Sequence, residues 1–160
     1  MMAIITLISV GSLKENYLKE AIKEYKKRLS QYAKVEEIEI KEERISDEEN
    51  TAQIARAIQA EGERIISSIP DGSYKIALCI EGRQYSSEAL AKIVEGACDT
   101  HGKLVFIIGS SHGLSDSVKQ IADLKLSFSQ LTFPHQLMKV ILTEAIYRSF
   151  TIIHKKRYHK

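Results

Sequence analysis

A chain of 160 residues, 44% apolar and 28% charged, has room for one domain with a real core and the composition of a folded globular protein. Its 23 Lys and Arg nearly balance 21 Asp and Glu, and a net charge of +2 argues against indiscriminate polyanion binding. The longest apolar runs, Ala77–Ile80 and Leu104–Ile108, are far short of the roughly 20 residues of a membrane helix, no leader pattern precedes the first strand, and Cys79 and Cys98 lack ligand spacing; a cytoplasmic protein with two reduced thiols and no membrane partner is expected.

Ala3–Val10 (AIITLISV) is β-branched, ends at Gly11 and predicts a buried strand. Tyr17, Leu18, Ala21, Ile22, Tyr25 and Leu29 recur at helical spacing within Glu15–Tyr32. Lys34–Lys41 reads as an edge strand, and the acidic stretch after it, with no apolar anchors, makes Lys41–Asn50 the expected flexible piece. Thr51–Ser68 is helical until Pro70-Asp71-Gly72 stops it. Strand Tyr74–Ile80, helix Ser86–Cys98 and strand Lys103–Ile108 follow, then the loop Gly109–Gly113, a short helix Ser115–Ala122, a short strand Leu124–Phe128, and a long helix from Pro134 to about Phe150. Strands separated by helices predict an α/β fold, a mostly parallel sheet flanked by helices in one domain spanning 1–160. Such sheets take ligands where loops leave the carboxyl ends of strands, which directs attention to the exits after Ile80, Ile108 and Phe128.

Four segments carry possible chemistry. The loop in Ile107–Gly113 (IIGSSHG) has a glycine directly after a buried strand, suited to holding an anion or adenosine moiety or simply to turning; it lacks a Walker lysine and a GxGxxG spacing. Leu126–Gln136 (LSFSQLTFPHQ) offers hydroxyls and aromatics for a flat polar ligand, or is a plain connection with Thr132 as a cap. The helix after Pro134 is apolar on more than one face, which fits a subunit interface or a central core helix. The segment Arg148–Lys160 interleaves Arg148, Lys155, Lys156, Arg157 and Lys160 with His154, Tyr158 and His159, suited to phosphate contacts and base stacking, or is a solvated terminus. The five histidines form no HxxxH pair and neither cysteine stands near one, so no metal is expected.

In order, VGSLKENY, YKKRL, IALCIEGR, FIIGSSHGL, LSFSQLTFPHQLMKVILTEAIYRSF and the final YHK resemble the RlmH-type ribosomal RNA methyltransferases of the SPOUT class, from about Ile4 to Lys160. The resemblance implies a carboxyl-terminal trefoil knot, a homodimer, S-adenosylmethionine as cofactor, and methylation of N3 of a pseudouridine in 23S rRNA on assembled ribosomes. It implies a cofactor site at Leu78, Gly109, Phe128, Ser129, Gln130, Leu131, Thr132 and Phe133, with Ser110 where the family usually has a second glycine. Arg148, Tyr158 and His159 are the catalytic candidates, with His135 and Glu144 behind them: an arginine to hold phosphate or a uracil carbonyl, a tyrosine to stack or orient the base, a histidine to take the N3 proton. The rival readings are a non-enzymatic ribosome-binding or assembly protein with the same fold and a Rossmann-like dehydrogenase, the latter opposed by the missing GxGxxG.

The small net charge is itself a sum of opposed blocks: +4 over Met1–Val35, −7 over Glu36–Glu63, −1 over Arg64–His101 and +6 over Gly102–Lys160. RNA would dock on the basic carboxyl-terminal part, with the acidic block expected to face away from it.

Overall fold

The apolar residues of the strands alternate between two hydrophobic clusters, so the sheet must be covered on both sides. On β1 (Ala3–Val10), Ile5 and Leu7 belong to one cluster and Ile8 and Val10 to the other; on β4 (Lys103–Ile108), Leu104, Phe106 and Ile108 face the first and Val105 and Ile107 the second. The computed structural model, which describes residues 2–160, realises this as five parallel strands in the order β2-β1-β4-β3-β5, with β2 at Ala33–Ile40, β3 at Tyr74–Arg83 and β5 at Leu124–Leu126. Against the first face pack α1 (Asn16–Leu29), α3 (Ser87–His101) and α5 (His135–Ile153). On the second lie α2 (Thr51–Ser68) and α4 (Asp116–Ile121). Phe106, on the central strand, is fully buried, and truncating such a side chain to Ala costs about 3–5 kcal/mol.

The predicted α/β order holds throughout, and β1, α2 and β4 have the predicted bounds. β3 runs three residues further than expected, because its Arg83 continues the pairing with Leu126 of β5 after an irregularity. Gly82 makes that possible: a Cβ there would lie 2.7 Å from the carbonyl oxygen of Lys125. Asn50 caps α2, its side chain accepting from the Gln53 N–H at 3.0 Å, and Ser86 caps α3 in the same way. Thr132 does not cap α5; the residue before the helix is Pro134, which makes no side-chain cap.

Lys41–Asn50 is held by polar contacts where apolar ones were sought. Arg64 donates to the carbonyl of Lys41 at 2.9 Å and pairs with Glu43, and Gln53 bonds both Asp47 and Ser46.

The long helix α5 is largely a core helix. Leu142, Ile146 and Phe150 are buried in the first cluster, and Lys139, 4% exposed, reaches Glu37 of β2 at 3.0 Å. Its other side keeps Leu137 at 38% exposure with Val140 and Ile141 half-buried, so one chain does not cover the helix completely.

Candidate active site

Beyond the carboxyl ends of β3, β4 and β5 lies a cavity of about 680 Å³. Its wall is built from the three predicted strand exits, Leu78–Glu81, Ile108–Leu114 and, with Gln130 excepted, Leu126–Phe133, together with Lys119 of α4 and Pro134, His135 and Met138 at the start of α5. Of the residues expected at a cofactor site, Leu78, Gly109, Phe128, Ser129, Leu131, Thr132 and Phe133 line it; Gln130 lies in the same loop, is exposed and does not.

The loop after β4 is shaped by its own backbone. Gly113, at φ +89°, donates its N–H to the carbonyl of Ser110 at 2.9 Å, and a Cβ on Gly109 would stand 2.5 Å from the Gly113 carbonyl oxygen. Gly109 is therefore required by the closure of the loop on itself, before any ligand enters. Ser110 Oγ accepts from the His112 N–H of the same loop at 3.4 Å, while the buried Glu61 of α2 accepts from the Glu43 N–H at 2.9 Å. His112 Nε2 lies 2.8 Å from Glu48 Oε2, which brings the acidic block to the rim of the cavity.

The loop after β5 is pinned by hydroxyls. The Ser127 N–H donates to the carbonyl of Arg83 at 3.0 Å, the Ser127 hydroxyl donates to the carbonyl of Ser129 at 3.2 Å, and the Leu131 N–H donates to Ser129 Oγ at 3.0 Å. Leu131 is left 72% exposed at the mouth. The wall is mainly apolar with one charged pair, Lys119 and Glu81 at 2.5 Å. Lys119, through its hydrogen bond, holds the Glu81 carboxyl below the usual carboxylate range. Sequence reading missed Glu81, Lys119 and Cys79 as wall residues. The 37 residues between Glu81 and Lys119 carry no periodic signal of their pairing, and Cys79, half-buried here, lacks any spacing that would mark it as a wall residue. Burial raises the Cys79 thiol above its ordinary value, and it carries that of Cys98 to about 11.

Arg148, Tyr158 and His159 come together at the other end of α5 around Glu144. Glu144 Oε1 accepts from Arg148 Nη2 at 2.7 Å, from Arg148 Nε at 3.0 Å and from the Tyr158 hydroxyl at 3.0 Å. The Arg148 guanidinium also lies over the Tyr158 ring, 4.7 Å from its centroid. Burial, then the hydrogen bond to Glu144, pushes the Tyr158 phenol well above its ordinary range. Arg148 Nη1 is 3.0 Å from His159 Nδ1, and His159 Nε2 is 2.7 Å from Glu88 Oε1. A guanidinium only donates, so Nδ1 is the acceptor and Nε2 carries the proton given to Glu88. The segment is thus docked at Tyr158 and His159, while Lys155, Lys156, Arg157 and Lys160 stand exposed. Arg148 lies thirteen positions along α5 from His135, in the cavity wall, about 20 Å of helix. Within one chain the two clusters do not meet.

Among the described residues no helix is long and apolar enough to cross a membrane, and no group of three or more His, Cys, Asp or Glu is placed to hold a metal ion.

Comparison with known proteins joins these observations. The family model described as "Predicted SPOUT methyltransferase" matches residues 2–159. The protein of Shouchella clausii named Ribosomal RNA large subunit methyltransferase H is 51% identical over 158 residues, and the protein of the same name from Caldicellulosiruptor saccharolyticus is 47% identical over 156; each alignment covers 98% of this chain and 99% of the relative. The fold is shared with a probable methylase family protein from Haemophilus influenzae, at TM-score 0.58 and 14% identity, over 98% of this chain and 70% of that one. It is also shared with a methyltransferase-type structure from Legionella pneumophila that holds the cofactor SAM, at TM-score 0.51 and 11% identity, over 92% of this chain and 66% of that one. The dehydrogenase reading is overturned: a family match over nearly the whole length, on a parallel sheet whose ligand-sized cavity opens at three strand exits, means that the chain belongs to the SPOUT methyltransferase family.

Proposed function

We propose that this protein transfers a methyl group from S-adenosylmethionine to ribosomal RNA of the large subunit, at N3 of a pseudouridine on assembled ribosomes, acting as a homodimer in the cytoplasm. The observation that carries the reading is the alignment, about half identical and nearly complete, with relatives named as large-subunit methyltransferases. The cavity is compatible with the cofactor. Its volume lies in the range of sites for ligands of this size, its wall is mainly apolar with a few polar groups, and Leu78, Gly109, Phe128, Ser129, Leu131, Thr132 and Phe133 would hold it. When bound, S-adenosylmethionine supplies a methyl group already activated by its sulfonium. We extend the reading to the trefoil knot that the resemblance implies.

The protein's remaining tasks are to align the acceptor nitrogen and to manage its proton. Since Arg148, Tyr158 and His159 lie a helix length from the cavity of their own chain, they would serve the cavity of a second copy, and the half-exposed Leu137, Val140 and Ile141 offer an apolar seam for that copy. Arg148 would hold a phosphate or a uracil carbonyl. Tyr158, its proton held on Glu144, would orient the base and not act as the base catalyst. His159 has both ring nitrogens engaged, so it would have to release Arg148 before Nδ1 could accept the N3 proton.

The deciding experiment incubates the protein and labelled S-adenosylmethionine with ribosomes lacking the modification and maps the product. A single methyl at N3 of a large-subunit pseudouridine is expected. A folded dimer that binds ribosomes but neither binds the cofactor nor transfers methyl would instead favour an assembly protein of the same fold.

A further inference from the structure

The chemistry described so far makes no use of the exit from β1, the strand next to β4. This strand runs into Gly11-Ser12-Leu13-Lys14, and the turn is tied to the start of α5, where the Lys14 N–H donates to Gln136 Oε1 at 3.2 Å. Between turn and helix lies a cleft of about 10 Å³, room for one oxygen atom, whose wall includes Ser9, Gly11, Ser12, His135, Gln136 and Lys139. Ile108 and His135 line both this cleft and the large cavity, so the two adjoin.

Three kinds of donor meet there. Ser9 shares the strand face of Ile5 and Leu7, which packs against α5; it is 6% exposed. Its Oγ is the one buried side-chain oxygen or nitrogen among the described residues with no hydrogen-bond partner, a costly arrangement for a hydroxyl. The start of α5 has no side-chain cap and no acidic residue in its first turn. Met138 is the first residue there whose N–H finds a carbonyl, that of Pro134 at 2.9 Å, so the N–H groups of His135 and Gln136 have none within the helix. Lys139, 4% exposed, lies in the same wall, and Lys14 stands exposed in the turn. Two carboxylates are near: Glu37, which Lys139 shares with Lys26, and Glu42, whose Oε2 would stand 3.3 Å from a Cβ on Gly11. The lysines outnumber them.

We infer that this cleft binds an oxyanion: one oxygen enters it and accepts from the Ser9 hydroxyl and the first N–H groups of α5, while the rest of the group faces Ser12 and Lys14. A single water would satisfy Ser9, but it would leave unused the positive end of a 19-residue helix and the lysines beside it. Under the proposed function two sources of such a group reach this place, a backbone phosphate of the RNA and the carboxylate at the amino-acid end of S-adenosylmethionine. The site stands on the geometry, and only its source rests on that function.

The test titrates inorganic phosphate against chloride at constant ionic strength and follows the amide resonances of Gly11–Lys14 and His135–Leu137 in the wild-type chain, Ser9→Ala and Lys14→Met. Saturable shifts confined to those two segments are expected. Affinity should fall about tenfold in Ser9→Ala, as for loss of a hydrogen bond to a charged group, and about threefold in Lys14→Met. Ser9→Ala should melt no earlier than the wild type, since it deletes a buried hydroxyl that has no partner. No saturable shift, unchanged affinity in Ser9→Ala, or shifts only along Lys155–Lys160 would overturn the inference and leave the cleft to a water. If Ser9→Ala fails to fold, Lys14→Met, on the surface, decides. The titration is then repeated with saturating S-adenosylmethionine or methylthioadenosine, which lacks the amino-acid end. Phosphate blocked by the first and not by the second identifies the cofactor carboxylate. Phosphate bound equally well with cofactor present, together with a raised KM for ribosomes and unchanged cofactor affinity in Ser9→Ala, identifies an RNA phosphate. In the active enzyme, a Ser9→Ala variant with wild-type cofactor affinity and ribosome KM would reduce the site to an adventitious ion only, and so overturn the inference. A wild-type chain that takes phosphate in this way but binds no cofactor refutes the proposed function and not the site.

Discussion

The two ends of α5 are built in opposite ways. At its amino end the cavity is shaped by backbone: Gly109 without room for a Cβ, serines bonded to main-chain atoms, an apolar wall and one charged pair. At its carboxyl end a network of side chains converges on one carboxylate, with arginine, tyrosine and histidine held by charge and ring contacts. The first end resists change of shape and suits a ligand of fixed form; the second depends on protonation and salt and suits a polyanion that must be gripped and released. Part of the acidic block lies at the first end, where Glu48 meets His112.

The largest effect that can break this contrast is at Gly109. Since any Cβ there meets the Gly113 carbonyl, Gly109→Ala, and not only a bulky residue, is expected to weaken S-adenosylmethionine binding about 100-fold while the rings around Tyr158 keep their near-ultraviolet signature. Wild-type affinity in that variant would remove the backbone argument.

Next comes the other end. Removing Tyr158–Lys160, or changing Arg148 to Ala, should lower methyl transfer to ribosomes by about 100-fold and leave cofactor affinity within about twofold in titration. Loss of cofactor binding would put the terminal segment in the cofactor site.

A pH scan gives a smaller, signed effect. The Tyr158 phenol loses its proton less readily in the folded chain than in the unfolded one, so its contribution to stability is whole below the unfolded value near pH 10 and is lost as pH rises beyond it. Melting temperature should therefore fall above about pH 10, and less steeply in Tyr158→Phe. Equal slopes would mean that the phenol and Glu144 are not coupled. The smallest effect is expected at Glu48, which is 66% exposed: Glu48→Gln should change cofactor affinity by no more than about twofold.

Reading the sequence located the cavity and not its supports. The strand exits could be found because buried strands announce themselves and parallel sheets bind ligands at one end, and Leu78, Gly109 and Phe128–Phe133 followed from the resemblance. Glu61, Lys119 and Glu88 could not be found that way. Glu61 meets the Glu43 N–H 18 positions away, Lys119 meets Glu81 at 38 and Glu88 meets His159 at 71, and no local spacing encodes such meetings. Thr132 looked like a helix cap because hydroxyls before a Pro often are, and β3 outran its apolar pattern because Gly82 permits an approach that hydropathy does not register. Arg148 and Glu144, four apart on one helix, were the part of the network that spacing could have revealed.

The edges of the sheet bear on how two copies could meet. One margin is β2, where Lys34 and Glu39 are exposed and Glu36 and Glu37 half-exposed, Glu36 paired with Lys34 and Glu37 with Lys26 and Lys139; the other is β5, only three residues long. Charge blunts the first margin and brevity the second, so neither offers a template for strand addition. A chain protected in this way from growing sideways into ribbons is left with its helical faces for self-association, and a pairing through helices closes after two copies if it is two-fold, where pairing through sheet edges would continue.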